Sequence, residues 1–304
     1  MRYFRYCKQD QPTKRSSTMT TARKPEWLKR KIDPIAEAQM TALLRSLSLH
    51  TVCEDANCPN RSECFKSRTA TFLILGDVCT RGCRYCAVAK GAPLPLDAEE
   101  PQRIARAAET LGLKHVVITS VTRDDLPDGG AIHFAQTVEA IRMLLPDSTI
   151  EVLIPDFCGS ESALQTVIDA RPDIINHNVE TVPSLYPTVR PQASFVRSLE
   201  LLRRVKKAGL YSKTGFMVGL GETIDEVLSL MDALVCVDCD MLTIGQYLQP
   251  SRDHLAIAAF ITPQQFDAYR QIALEKGIRF VASGPLVRSS YHAAEGMAQM
   301  EADL

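Results

Sequence analysis

Between residues 71 and 276, six short apolar or β-branched runs alternate with six helix-like stretches, and this limits the possible folds more than any other feature of the chain. The runs at 71–75, 115–120, 149–154, 174–180, 213–220 and 241–248 predict strands. The stretches near 98–111, 131–145, 161–170, 195–208, 224–235 and 263–276 predict helices. Thr262 before Pro263 is a helix start signal, and Gly209 following Ala208 is a stop signal. Successive βα units lay strands side by side in parallel, with helices outside. A doubly wound open sheet and a partial barrel both satisfy that count. The polar residues choose between them: Cys79, Ser120, Asn176, His177, Asn178, Glu180, Gly221, Glu222, Gln246 and Gln249 fall at or just past the ends of many different runs. In α/β barrels such ends share one cup. The expected fold is therefore α/β, a partial (β/α)6 TIM-type barrel over 71–279. An N-terminal extension at 31–70 and a C-terminal extension at 280–304 flank it, and a basic, flexible tail at 1–30 precedes it.

Composition narrows the class without identifying it. Apolar residues make up 45% and charged residues 23%, enough to bury a full core. The formal net charge of −1 gives no reason to expect nucleic acid or a membrane surface as partner. No apolar run approaches the roughly 18 residues that suggest a membrane span. The Arg- and Lys-rich start could be read as an organelle transit peptide. It is short and lacks an apolar face, so a solvated tail and a cytoplasmic protein are the expectation.

Ten cysteines are present, and six of them stand in two trios: Cys53, Cys58 and Cys64, then Cys79, Cys83 and Cys86. Clustering of this kind points to thiol or metal chemistry in a reducing compartment rather than disulfides. The second trio reads C-T-R-G-C-R-Y-C directly after a predicted strand. Three thiolates on a short loop can hold three corners of a [4Fe–4S] cubane and leave the fourth iron open for chemistry. A structural zinc site with a distant fourth ligand is the alternative, although such sites favour four protein ligands. The first trio, with spacing C-x4-C-x5-C, fits either metal by spacing alone. Cys236 and Cys239 form a further C-x2-C, read as small buried hydrophobes. Asp124 and Asp125, followed by Asp128-Gly129-Gly130, look like a turn as much as a site.

The C-x3-C-x2-C loop, with Tyr85 before its last cysteine, resembles the radical S-adenosylmethionine superfamily. Six segments are similar, in order, to those members that insert sulfur into a protein-bound acyl chain. They are T-V-C-E-D-A-N-C-P-N-R-S-E-C (51–64), V-V-I-T-S-V-T-R-D-D-L-P-D-G-G (116–130), N-H-N-V-E (176–180), M-V-G-L-G-E (217–222), G-Q-Y-L-Q-P-S (245–251) and G-P-L-V-R-S-S-Y-H-A (284–293). The resemblance implies two [4Fe–4S] clusters and S-adenosylmethionine as cofactors. It implies a sulfurtransferase that converts N6-octanoyl-lysine to lipoyl-lysine by sulfur insertion at carbons 6 and 8. One cluster, on Cys79, Cys83 and Cys86, would generate radicals. The other, on Cys53, Cys58 and Cys64 with Ser290 as a fourth ligand, would donate the sulfur. A serine oxygen is a harder, weaker iron ligand than a thiolate, which suits a cluster meant to be dismantled.

The implied partners are octanoylated lipoyl carrier domains (the E2 subunits of 2-oxoacid dehydrogenases and the H protein of glycine cleavage), with an electron donor such as ferredoxin or flavodoxin. No nucleic acid or membrane partner is implied. For S-adenosylmethionine itself, Ser120, Asn176, Asn178 and Glu180 are expected contacts. Glu180 would accept from the ribose hydroxyls, as carboxylates do in other nucleotide folds. Arg190 and Lys213 would meet the methionyl carboxylate. Gly219 and Gly221 would let the backbone approach the adenosyl group. Another enzyme of the same superfamily, such as a methylthiotransferase, is the nearest alternative.

Overall fold

The computed structural model describes residues 24–29, 32–56, 58–66, 71–291 and 293–302, so nearly all of the basic tail, Cys7 and His292 lie outside the described residues. An N-terminal layer comes first: α1 (Pro34–Ser46), β1 (His50–Thr51), α2 (Val52–Asp55) and α3 (Arg61–Lys66). Asp33 starts α1 by accepting from the Ala36 amide at 3.2 Å, which satisfies one of the orphan donors of a helix N-terminus.

The six expected βα units follow. They begin with β2 (Thr71–Ile74), the two-residue ribbon β3 (Val78–Cys79) and β4 (Ala89–Lys90), and α4 (Glu100–Leu111). Next come β5 (His115–Ser120), α5 (Ala131–Leu144), β6 (Thr149–Leu153), α6 (Glu161–Asp169), β7 (Ile174–Asn176), α7 (Tyr186–Val189) and α8 (Phe195–Lys207). β8 (Tyr211–Val218), α9 (Ile224–Cys236), β9 (Met241–Gln246) and α10 (Pro263–Glu275) complete the units. Several helix starts are written in single residues. Ser160, Ser194 and Thr262 each accept from a first-turn amide, and Thr223 forms a reciprocal capping box with Glu226.

The main sheet runs β1-β2-β5-β6-β7-β8-β9-β10, where β10 (Phe280–Gly284) is a seventh parallel strand beyond the six expected. Every neighbour is parallel except β1, which pairs antiparallel with β2. The strand order follows the chain order and does not close on itself, so the sheet is a partial barrel extended at both edges. The C-terminal segment thus joins the sheet before α11 (Ala293–Ala302) docks against it. Phe72, Ile74, Ile118, Phe134 and Val152 fill one half of the core, and Phe216, Leu230, Leu242 and Phe266 fill the other, all at most 3% exposed. Each such side chain contributes about 2 kcal/mol by leaving water. No helix among the described residues is long and apolar enough to cross a membrane.

Two sequence expectations need amendment. Cys239 is buried, with its thiol near the Ser212 and Met241 carbonyls, but Cys236 closes α9 on the exposed side. The strand predicted from residue 213 begins at Tyr211, which moves Lys213 from the strand's start into its body.

Candidate active site

The carboxyl ends of the strands open into a cavity of about 590 Å³. Cys53, Cys58 and Cys64 line it from one side, Cys83 and Cys86 from another, and Ser290 from the C-terminal turn. None of the six cysteines of the two trios is in a disulfide. The loop carrying Cys79, Cys83 and Cys86 leaves the end of β2, where the Leu75 amide donates to buried Glu100 at 2.8 Å. That carboxylate also meets His133 Nε2 at 2.7 Å, so α4 and α5 fix the turn into the loop. Beyond the turn, the Cys79 sulfur accepts from the Arg81 and Thr122 amides, each at 3.4 Å. The Gly82 amide donates to Gln192 Oε1 at 2.7 Å, and the Arg84 amide to the Val189 carbonyl at 2.9 Å. The segment after β9 closes over the far end: His254 Nε2 donates to the Cys86 carbonyl at 3.0 Å, and the Leu255 amide to the Arg84 carbonyl at 3.2 Å.

The first trio and the C-terminal turn are joined directly. Asn60 Nδ2 donates to the Leu286 carbonyl at 2.7 Å, and the Tyr291 hydroxyl to Glu63 Oε1 at 2.7 Å. The turn follows β10, so Ser290 sits at a strand end like the other rim residues. Gly245 on the neighbouring β9 is required here: a Cβ would lie 2.2 Å from the Val287 carbonyl oxygen, closer than real contacts allow. Arg288 lines the cavity, its guanidinium within the electrostatic reach of Cys58 and Glu180.

Of the expected cofactor contacts, Ser120, Asn178, Glu180 and Arg190 meet at the cavity wall. Glu180 takes a left-handed φ of 65° and is bridged to β8 through the Gly215 carbonyl and the Met217 amide. A non-glycine residue in that region costs roughly 1–3 kcal/mol, which such sites tolerate when function fixes them. Burial pushes the Glu180 carboxyl up, against the opposing influence of Arg190, Asn178 and Tyr85. Arg190 Nη1 donates to the Asn178 carbonyl at 2.7 Å, and its guanidinium stacks 5.3 Å from the Tyr186 ring centre.

Lys213, Asn176, Gly219 and Gly221, also expected as contacts, do not line that cavity. Lys213 is 1% exposed and its ammonium is held by Glu151 at 2.8 and 2.9 Å, deep in the barrel. Asn176 Nδ2 donates to the same carboxylate at 3.0 Å. The amides of Gly219 and Gly221 are already engaged by the Glu222 carboxylate at 2.6 and 3.1 Å. The need for glycine at 219 comes from its own loop, because a Cβ would strike Gln246 at 2.2 Å and the Ala259 carbonyl at 2.4 Å.

The residues present fit a polar cofactor beside an iron–sulfur cluster. Ser120 Oγ, Asn178 Oδ1 and Arg190 Nε are buried at the cavity wall without a hydrogen-bond partner, a state that natural proteins avoid unless something else satisfies it. Burial pushes the Cys53 thiol up to about 11 and the Cys86 thiol up to about 12. As bare thiols they stay protonated, and a metal's positive charge is what would make them thiolates. Arg81, Asn60 and His254 were not read as site residues from the sequence. The only hint was a basic residue inside the C-T-R-G-C loop.

A radical SAM superfamily model matches residues 73–234. A lipoyl synthase of Caldanaerobacter subterraneus subsp. tengcongensis is 58% identical over 279 residues, covering 91% of this chain and 98% of the relative. A lipoyl synthase of Rubrobacter xylanophilus is 56% identical over 275 residues, covering 90% of this chain and 86% of the relative. Among solved structures, Streptococcus suis SuiB bound to S-adenosylmethionine shares the fold, with a TM-score of 0.56 at 14% identity over 81% of this chain and 60% of that one. With Cys53, Cys58, Cys64, Cys83 and Cys86 lining one barrel-end cavity and relatives of this identity along nine-tenths of its length, the chain belongs to the lipoyl synthase family of radical SAM enzymes.

Proposed function

We propose that this chain inserts two sulfur atoms, at carbons 6 and 8 of an octanoyl chain held in amide linkage on a lysine of a lipoyl carrier domain. One observation supports the reading best: Cys53, Cys58, Cys64, Cys83, Cys86, Ser290 and Glu180 line the same cavity. When bound, a [4Fe–4S] cluster on Cys79, Cys83 and Cys86 with S-adenosylmethionine supplies a hydrogen-abstracting radical, and a second cluster on Cys53, Cys58, Cys64 and Ser290 supplies sulfur. Both reacting carbons are unactivated, so no acid or base of this chain would suffice there.

The chain's own residues hold and orient. Cys79, Cys83 and Cys86 would hold the first cluster and leave it open to S-adenosylmethionine. Glu180 accepts from its ribose hydroxyls, while Ser120, Asn178 and Arg190 offer the unpartnered polar atoms described above. Leu73, Val88, Leu153, Phe216 and Leu248 line the same cavity and give an acyl chain an apolar path that excludes water. The Ser290 hydroxyl would be a harder, weaker iron ligand than the three thiolates. Carrier domains of 2-oxoacid dehydrogenases and glycine cleavage are the expected protein substrates, ferredoxin or flavodoxin the expected reductant, and the cytoplasm the expected location.

The test is an anaerobic single turnover with reductant, S-adenosylmethionine and an octanoyl-lysyl peptide, read by mass spectrometry. Lipoyl peptide with about two 5′-deoxyadenosines per product is the outcome expected of this cofactor chemistry. Formation of 5′-deoxyadenosine with a sulfur-free peptide would make the substrate assignment wrong and leave the radical half standing.

A further inference from the structure

Arg81, the third residue of C-T-R-G-C, is only 5% exposed, which is unusual for an arginine. Its Nε donates to Asp124 Oδ2 at 2.6 Å, and its Nη2 to Asp124 Oδ1 at 2.8 Å and to Asp156 Oδ1 at 2.6 Å. Asp124 lies on the loop after β5 and Asp156 on the loop after β6, so one guanidinium in the cluster loop grips two neighbouring strand ends. Asp156 is 2% exposed and is held from its other side by Arg197 Nη1 at 3.0 Å. Cys158 completes the ring: its sulfur is 3.3 Å from Asp124 Oδ1 and 3.4 Å from Arg81 Nη2. The backbone bends to allow this, with Phe157 and Cys158 both left-handed at φ 45° and 52°.

Two arginines and two aspartates balance in formal charge. What the network supplies is geometry, because a forked guanidinium engaged by two carboxylates has one orientation. The same residue's amide donates to the Cys79 sulfur at 3.4 Å. Position therefore passes from the barrel rim, through the Arg81 side chain and backbone, to a ligand cysteine. Ser120 and Glu180, on the same rim, place the cofactor.

We propose that Arg81 is a positioning residue that sets the arm from Cys79 to Cys83 at a fixed place relative to the S-adenosylmethionine pocket. The role differs from ligation: Arg81 holds the loop so that a cluster and its cofactor meet in one geometry. The inference rests on the reading of Cys79, Cys83 and Cys86 as cluster ligands.

The test uses the full chain, anaerobically reconstituted, with Arg81→Met, Arg81→Lys and Asp124→Asn variants. Iron and sulfide are counted, and the electron paramagnetic resonance spectrum of the reduced protein is recorded with and without S-adenosylmethionine. That comparison reads the three-cysteine cluster selectively, since only it would bind the cofactor. Expected for Arg81→Met are wild-type iron, a broadened or lost cofactor-induced spectral change, and a fall in kcat of about a hundredfold, as for a misplacement of about an ångström. KM for S-adenosylmethionine should move far less, Arg81→Lys should recover part of the spectral change, and Asp124→Asn, which keeps the Asp156 leg, should fall between. A wild-type spectral response in Arg81→Met at full iron content overturns the proposal. So does joint loss of iron and melting temperature in all three variants with unchanged spectra for the cluster that remains, which is the behaviour of a merely structural residue. Absence of any cofactor-induced change in the wild-type protein would refute the ligand assignment itself and the proposal with it.

Discussion

The Lys213 ammonium lies 2.8 and 2.9 Å from the two carboxylate oxygens of Glu151, with both side chains sealed inside the barrel beneath the cavity. Burial pushes the Glu151 carboxyl up, but the Lys213 charge and the His115 contact outweigh it and hold it at about 2. Removing one partner leaves a buried charge without compensation, which costs about 3–5 kcal/mol. Lys213→Met should therefore lower stability by that amount, and a paired Lys213→Met, Glu151→Leu variant should recover much of it. S-adenosylmethionine affinity should change little, since neither residue lines the cavity. Denaturant unfolding and a cofactor titration decide the matter: a stable Lys213→Met protein with strongly weakened cofactor binding would restore Lys213 to the site.

Asn60 connects chain segments 226 residues apart by its bond to the Leu286 carbonyl. Its loss should cost about 1 kcal/mol, as for a single buried hydrogen bond, and should loosen Ser290 from the first trio. In Asn60→Ala, iron held by the Cys53, Cys58 and Cys64 set should leave several-fold faster under a chelator. S-adenosylmethionine cleavage at the other cluster should persist. Equal retention of all iron in the variant and the wild type would show that the C-terminal turn stays in place without Asn60.

The alternation of strands and helices was legible because each element carries its own period and its own caps. Thr262-Pro263 announces α10, and Gly209 after Ala208 marks the end of α8, each within a single turn of sequence. β10 escaped notice because F-V-A-S-G is short and only half apolar, and it becomes a strand only by pairing with β9. The two cysteine trios stood out for a different reason: each is a cluster within a short stretch of sequence, visible from local spacing alone. Lys213 and Asn176 misled because polarity near a strand end does not say which residue reaches the rim. The β8 register puts Lys213 beside Asn176, where both face Glu151. Arg81, Asn60 and His254 find their partners 43 to 226 residues away, and no spacing rule reads such pairs from one chain.

His254 ties the segment after β9 to the Cys86 carbonyl, and its other ring nitrogen is 2.9 Å from the Ser251 hydroxyl. Leu248, Gln249 and Pro250 of that segment line the cavity, so the strap joins the cavity wall to the backbone of Cys86. Loss of one such hydrogen bond is worth about 1 kcal/mol, or about fivefold. His254→Ala should lower turnover by that factor and raise uncoupled S-adenosylmethionine cleavage, and His254→Gln, which keeps a donor, should retain more coupling. Product-to-5′-deoxyadenosine ratios measure this directly. Identical ratios in both variants and the wild type would remove His254 from the coupling.

Two buried groups divide the acid side of the stability curve. Burial, then the charge of Arg190, push His177 down to about 4, even though its Nδ1 donates to the Ile154 carbonyl at 2.9 Å. The unfolded chain binds that proton near the ordinary value of 6.5 and the folded chain refuses it, so stability falls as pH drops from about 6.5 to about 4, by about 3 kcal/mol. Asp156 acts lower. Burial raises its carboxyl, but Arg81 prevails and holds it at about 2. Its contribution is complete above the ordinary 3.8 and is lost only as pH approaches 2. His177→Gln should flatten the stability curve between about pH 6.5 and 4 and leave the slope below about 4 in place, whereas Asp156→Asn should do the reverse. Unfolding midpoints measured across this range at fixed ionic strength would show it, and a His177→Gln curve parallel to the wild type down to pH 4 would mean that the histidine is already protonated in the folded protein.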